Sequence, residues 1–315
     1  MKLLAAIDLG GTNIALGLGT ADGQLLVRAS TPTEGNGGPR HVLDRIAGLV
    51  QQHLPAGAQL AAVGMGLPGR LDPARRAAEF LPNLATQWKG IPVAEQLEAQ
   101  LHCPVYLLND ARLAALGELD FGLGRHYQNF LYFTLGTGIG GAVVLQGHLQ
   151  LGKIGAAGEL GHQCVEPNGP LCGCGSRGCL EALASASALT AEGFRLLRIG
   201  QAPHLASLLK GDANHLNLET MAACEDPAVG QAIEKTGRYL GLGMANLVTA
   251  LHPDAILFAG GMAKLGARLL EPARAEMLAR VRMFPAADVA IRASELGGDS
   301  ALLGGLALAA RAGKL

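Results

Sequence analysis

Two distant segments of the chain repeat one pattern, and that repetition constrains the fold more than any other feature. In the first, the apolar run Lys2 to Ile7 meets Asp8-Leu9-Gly10-Gly11-Thr12-Asn13, and a second apolar run, Ile14 to Gly19, follows at once. This reads as a hairpin with a glycine-rich tip. In the second, FLYFTLGTGIGGAVVL within Asn129 to Leu145 again places a strand, a Gly136-Thr137-Gly138 tip and a returning strand. A chain that uses one device twice is expected to contain two related halves. At 315 residues it also exceeds the size at which a single core keeps growing.

Between the tips the pattern predicts helices at His41 to His53, Val93 to Leu101 and Asp110 to Leu119, with strands at Leu60 to Gly66 and Val105 to Leu108. The second half predicts helices at Ser185 to Leu197, Pro227 to Leu251 and Leu269 to Val281. A strand, Ala255 to Phe258, runs into Ala259-Gly260-Gly261. Strands that alternate with helices imply a mostly parallel α/β core. Gly64-Met65-Gly66-Leu67-Pro68-Gly69 matches the dinucleotide fingerprint. Pro68 and the following Arg70-Leu71-Asp72-Pro73 look like a turn, however, where the fingerprint needs a helix N-terminus.

The segment Gly158 to Glu181, GELGHQCVEPNGPLCGCGSRGCLE, brings His162, Cys172, Cys174 and Cys179 into one short loop. Three thiolates and an imidazole complete a tetrahedral set for Zn²⁺ with no position left for water, which argues a structural metal. Gly173, Gly175 and Gly178 are expected to supply positive φ angles. Unpaired core cysteines or a disulfide would not account for the spacing beside His162. Cys103, Cys164 and Cys224 fall outside the set and read as small buried apolar residues.

Net charge is -1, which points away from a nucleic-acid surface or polybasic membrane anchor. MKLLAAIDLGG is too short an apolar run for a signal peptide, and the apolar tail Ala301 to Ala310 is too short and glycine-broken for a membrane span. A cytoplasmic protein with small-molecule partners is expected.

Glycine-rich tips leave backbone N–H groups uncovered, and Thr12 and Thr137 add hydroxyls, so the two tips suit a polyphosphate. Asp8 at a strand end could orient Mg²⁺ through water. Leu107-Leu108-Asn109-Asp110 places a carboxylate where a strand meets a helix. There Asp110 could accept a proton from a hydroxyl attacking a γ-phosphorus, or could cap the helix. Spacing alone leaves both open.

DLGGTN at 8–13, LPG at 67–69, LND at 108–110, LGTGIGG at 135–141 and GELGH through GCLE at 158–181 together resemble the ROK family of sugar kinases. The resemblance covers nearly the whole chain. It implies a bilobal actin-like, hexokinase-like ATPase fold of duplicated ribonuclease H-like domains with a zinc-binding loop. An N-terminal lobe of 1–116, completed by a C-terminal helix at 299–315, would precede a C-terminal lobe of 117–298. The resemblance further implies that Asp8, Gly10, Gly11 and Thr12 form one phosphate loop, that Gly136, Thr137 and Gly138 form the other, and that Gly260 and Gly261 flank the adenosine. Gly69, Asn83, Asn109, Asp110, Glu159, His162 and Glu181 would line the sugar site, with Asp110 as the base and His162 giving one nitrogen to zinc and the other to the sugar.

Asn13 departs from the pattern, since many relatives carry Lys there. The expected activity is ATP-dependent phosphorylation of a hexose, glucose first, with kinases for N-acetylmannosamine or N-acetylglucosamine as alternatives. ATP, Mg²⁺ and structural Zn²⁺ are the expected cofactors and a homodimer the expected assembly. Some family members are sugar-responsive repressors with a DNA-binding domain ahead of the first strand. Here that strand begins at residue 2, so a non-catalytic sugar-binding regulator is the remaining alternative.

Overall fold

In the computed structural model, residues 1–74, 76–81, 84 and 86–315 are described. The elements in chain order are β1 (Lys2–Leu9), β2 (Asn13–Gly19), β3 (Leu25–Pro32), α1 (Gly38–His53), β4 (Gln59–Leu67), β5 (Arg70–Asp72), β6 (Ala77–Phe80), α2 (Val93–Leu101), β7 (Val105–Asn109) and α3 (Asp110–Phe121). There follow β8 (Phe130–Leu135), β9 (Ile139–Leu145), β10 (His148–Leu149), α4 (Leu180–Ala184), α5 (Ala186–Arg198), α6 (Pro203–Leu208), α7 (Leu218–Ala223), α8 (Pro227–Leu251), β11 (Ala255–Ala259), α9 (Ala267–Arg280), β12 (Ala290–Ala293) and α10 (Ser300–Ala310).

One five-stranded sheet has the order β3-β2-β1-β4-β7 and the other β10-β9-β8-β11-β12, so each, numbered within itself, runs 3-2-1-4-5. The shared order is the structural counterpart of the repeated glycine-threonine tip. The chain divides into two compact units, one of residues 1–128, 142–158 and 294–315, the other of residues 129–141 and 159–293.

In the first unit β1 pairs antiparallel with β2 and parallel with β4, and β4 pairs parallel with β7. Successive side chains on a strand face opposite ways, and β1 shows the consequence. Ala5, Ile7 and Leu9 enter a core with Val42, Leu43 and Ile46 of α1 and Leu97 of α2. Ala6 packs instead with Leu302 and Leu306 of α10. Pro39 opens α1, and its apolar positions Val42, Leu43, Ile46 and Val50 recur at helical spacing to face that core.

The helix α10 lies against backbone rather than side chains. A Cβ at Gly64 would overlap the Gly305 carbonyl, and one at Gly304 the Leu113 carbonyl of α3. Gly64 is therefore a close-packing glycine, and its strand is followed by the strand β5 rather than a helix. That arrangement removes the dinucleotide reading of residues 64–69.

In the second unit β11 pairs in parallel with β8 and β12. The helix α8 buries Val229, Ile233, Leu240, Met244 and Val248 at the spacing of one helical face. No helix among the described residues is long and apolar enough to cross a membrane.

Candidate active site

The carboxyl ends of parallel strands are where α/β sheets bind ligands, and in the first unit four expected site residues gather there. The registers Asp8 to Gly66 and Gly66 to Leu108 put β1, β4 and β7 in one row, and Asp110 follows at the start of α3. Gly66 leaves the space between the two carboxylates open, since a Cβ there would stand 3.4 Å from both Asp8 Oδ1 and the Asp110 Cα.

Asp8 falls on the same face of β1 as Ala6, so its carboxyl is desolvated. Burial, and then the charge of Asp110, push its pKa from 3.8 up to about 6.

The helix cap is Asn109. Its side-chain oxygen accepts from the Ala111 and Arg112 amides at 3.1 and 3.3 Å, while its Nδ2 donates to the Gly69 carbonyl at 3.0 Å. Gly69 holds φ at 81°, a left-handed conformation that favours glycine. One buried amide therefore ties the end of β4 to the start of α3. Asp110, freed from that cap position, accepts only locally from the Ala111 amide at 2.8 Å among its printed bonds. Asn83, also expected in the sugar site, lies outside the described residues.

The Gly10 amide donates to the Asn13 carbonyl at 2.9 Å, and Thr33 Oγ1 donates to the Gly10 carbonyl at 2.7 Å. Gly11 and Thr12 at the crest are exposed. The tip of the second unit closes similarly, with the Gly136 amide on the Gly138 carbonyl at 3.0 Å. Ser187 Oγ donates to the Thr137 carbonyl at 2.8 Å.

Gly260, φ 92°, packs so closely on the Leu135 carbonyl that no side chain would fit. Beside these residues opens a cavity of about 580 Å³ lined by Gly136, Thr137, Phe194, Leu216, Leu218 and Gly261, among others. The sequence reading found the glycines but not the wall. Phe194 comes from α5 and Leu218 from the six-residue α7, and no motif marks either.

The donor atoms of His162, Cys172, Cys174 and Cys179 all lie within 4.8 Å of one another. Tetrahedral Zn–S and Zn–N bonds of ordinary length would separate two sulfurs by about 3.8 Å and a sulfur from a nitrogen by about 3.6 Å. The corresponding separations are 3.7 Å for Cys174 Sγ to Cys179 Sγ and 3.6 Å for Cys172 Sγ to His162 Nδ1. The donor set thus fits a small tetrahedral ion of that affinity class.

The other imidazole nitrogen, Nε2, lies 3.9 Å from Glu159 Oε2. Burial raises the pKa of Cys179 to about 12. Gly175 and Gly178 take positive φ, as expected, whereas Gly173 does not. Cys103 and Cys224 are buried, but Cys164 is exposed, contrary to expectation.

Glu181, expected in the sugar site, has both carboxylate oxygens directed at protein groups. Oε2 accepts from the Ile139 amide at 2.9 Å, and Oε1 lies 3.8 Å from Cys172 Sγ.

The ROK family pattern matches residues 4–312. Glucokinase of Thermotoga maritima is 35% identical over 309 residues, 96% of this chain and 95% of its own. Glucokinase of Streptomyces coelicolor is 33% identical and covers 98% of both chains. The crystal structure of a ROK family glucokinase from Streptomyces griseus in complex with glucose and AMPPNP superposes with a TM-score of 0.85 at 31% identity, over 98% of this chain and 99% of that one. The two sheets accordingly belong to a hexokinase-like ATPase fold. A family pattern over almost the entire chain, on a matching fold, means that this protein belongs to the ROK family.

Proposed function

We propose that the protein is an ATP-dependent sugar kinase that phosphorylates glucose. The observation that carries this reading is the near-complete alignment with glucokinases at 35 and 33% identity, joined to a carboxylate, Asp110, that Asn109 relieves of the helix-cap position.

In this reading Asp110 takes the proton of the sugar hydroxyl as that oxygen attacks the γ-phosphorus. The bond from phosphorus to the β,γ-bridging oxygen breaks and ADP leaves. Asn109 and Gly69 fix the strand-end geometry around the base. Glu159 and the His162 Nε2 serve as sugar ligands of the second unit. The uncovered amides of residues 10–12 and 136–138 bind phosphate oxygens, and the cavity walled by Phe194, Leu216 and Leu218 takes the adenosine.

Mg²⁺ on the nucleotide would neutralise phosphate charge, with Asp8 positioned to hold it through water. Zn²⁺ on His162, Cys172, Cys174 and Cys179 would fix the imidazole's orientation and tautomer. No step of the transfer runs through it. A homodimer remains the family expectation.

The test is Mg-ATP-dependent ADP release across glucose, mannose, fructose, N-acetylglucosamine, N-acetylmannosamine and a no-sugar blank. Preference for glucose is expected. Preference for an acetamido sugar would keep the mechanism and change the substrate. Silence across the panel with sugar binding intact would overturn the kinase reading in favour of a regulator.

A further inference from the structure

The loop that carries the three cysteines also grips the base of the second phosphate tip, and it does so at one residue from both ends. Ile139 directly follows Gly136-Thr137-Gly138. Its amide donates to Glu181 Oε2 at 2.9 Å, and its carbonyl sits so close to Gly161 that a Cβ there would overlap it. Gly161 lies just before His162, and Glu181 stands two residues after Cys179, in the first turn of the helix that Cys179 opens.

The same carboxylate explains the glycine at 138, because any Cβ there would overlap Glu181 Oε2. Its other oxygen faces Cys172. The tip is therefore held from below by a charged acceptor whose own position is set by the thiol and imidazole cluster.

We propose that Glu181 is a positioning residue for the nucleotide loop: it holds the Gly136–Gly138 tip in its phosphate-binding shape and links that shape to the cysteine cluster. The inference rests on the reading of this tip as a phosphate loop. It assigns Glu181 to the nucleotide side of the reaction, where a sugar ligand would act on the other substrate. The metal loop would then serve both substrates, the sugar through His162 and the nucleotide through Glu181.

The experiment compares Glu181→Ala and Glu181→Gln with the unmodified protein in three readouts. These are KM for ATP and for glucose, the Kd of a non-hydrolysable ATP analogue by calorimetry, and hydrogen–deuterium exchange at the Ile139 amide. A hydrogen bond to a charged acceptor governs about a tenfold change in an equilibrium. Glu181→Ala is expected to raise the KM for ATP and the analogue Kd about tenfold, with the glucose KM within about twofold. Exchange at Ile139 is expected to accelerate without nucleotide present. Glu181→Gln keeps a carbonyl acceptor and is expected to recover most of the loss, and it serves as the folded comparison if the alanine variant is unstable.

A glucose KM that rises while the ATP KM stays put would overturn the proposal and make Glu181 a sugar ligand. Unchanged Ile139 exchange in both variants would overturn it as well. A wild-type protein that binds no ATP analogue would instead remove the phosphate-loop reading on which the proposal stands, a result separate from normal wild-type binding with indifferent variants.

Discussion

The Asn109 side-chain amide donates to the Gly69 carbonyl at 3.0 Å while its oxygen caps α3. Asn109→Ala removes the cap and releases the left-handed turn at Gly69 together. A lost cap costs about 1 kcal/mol. A fall in melting temperature is expected, accompanied by a several-fold rise in the glucose KM, whereas loss of stability with an unchanged KM would reduce Asn109 to a cap alone.

Asp110→Asn keeps the shape of the site and removes its base. General-base catalysis contributes about 10²- to 10⁴-fold, so kcat is expected to fall by about that factor with glucose affinity nearly unchanged. Calorimetric glucose binding beside a coupled ADP assay separates the two. A variant that turns over normally would refute the assignment.

Asp8 binds its proton more tightly in the folded protein than in the unfolded chain, with a pKa near 6 against 3.8. The folded state therefore gains from this group below about pH 4, and loses that gain as pH rises through 6. Two pKa units correspond to about 3 kcal/mol. Asp8→Asn, which removes the charge that must be desolvated, is expected to be more stable than wild type at pH 8, with the advantage shrinking as pH falls from 6 toward 4. Urea melts across that range measure it. Mg-ATP turnover is expected to drop in the same variant, so stability and activity move in opposite directions.

Phe194 is 41% exposed, yet it lines the cavity beside Gly136 and Thr137. Stacking of a base on an aromatic ring is worth about 1–3 kcal/mol. Phe194→Ala is expected to raise the ATP KM about tenfold or more and leave the glucose KM alone, and Phe194→Tyr to preserve both. Equal effects on the two substrates would argue that the cavity holds no adenine ring.

For the cysteine cluster, elemental analysis is expected to find close to one zinc per chain. Removal by a strong chelator is expected to lower the melting temperature and loosen residues 159–181 to proteolysis, since structural zinc contributes to folding directly. A zinc-free preparation with the same melting curve and the same glucose affinity would defeat the assignment.

Much of this arrangement was legible in the residues because it depends on local pattern. The tips at residues 10–12 and 136–138, the helix Pro227–Leu251 and the clustering of His162 with three cysteines follow from spacing and residue type. What stayed hidden depends on partners far apart in sequence. Glu181 reads as one more acidic residue until its oxygen is found on an amide 42 positions earlier. Phe194 and Leu218 acquire meaning only when a short helix folds back beside Gly136. The strand β3 escaped notice because one of its faces is half-exposed and the other exposed along its length, which leaves an edge strand with a weak apolar signature. Helix capping by Asn109 in place of Asp110 turns on a backbone angle that the sequence does not display.

The seating of α10 on Gly64 and Leu113 has a consequence for the order of synthesis. All five strands of the first sheet have been made by residue 109, yet the helix that covers one of its faces begins at Ser300. As the chain grows from its N-terminus, that face stays wet until the last segment arrives. Residues 159–293 of the second unit emerge in one uninterrupted run. The half of the protein that is translated first is thus the half that matures last, and until then its bare sheet is a natural target for a chaperone.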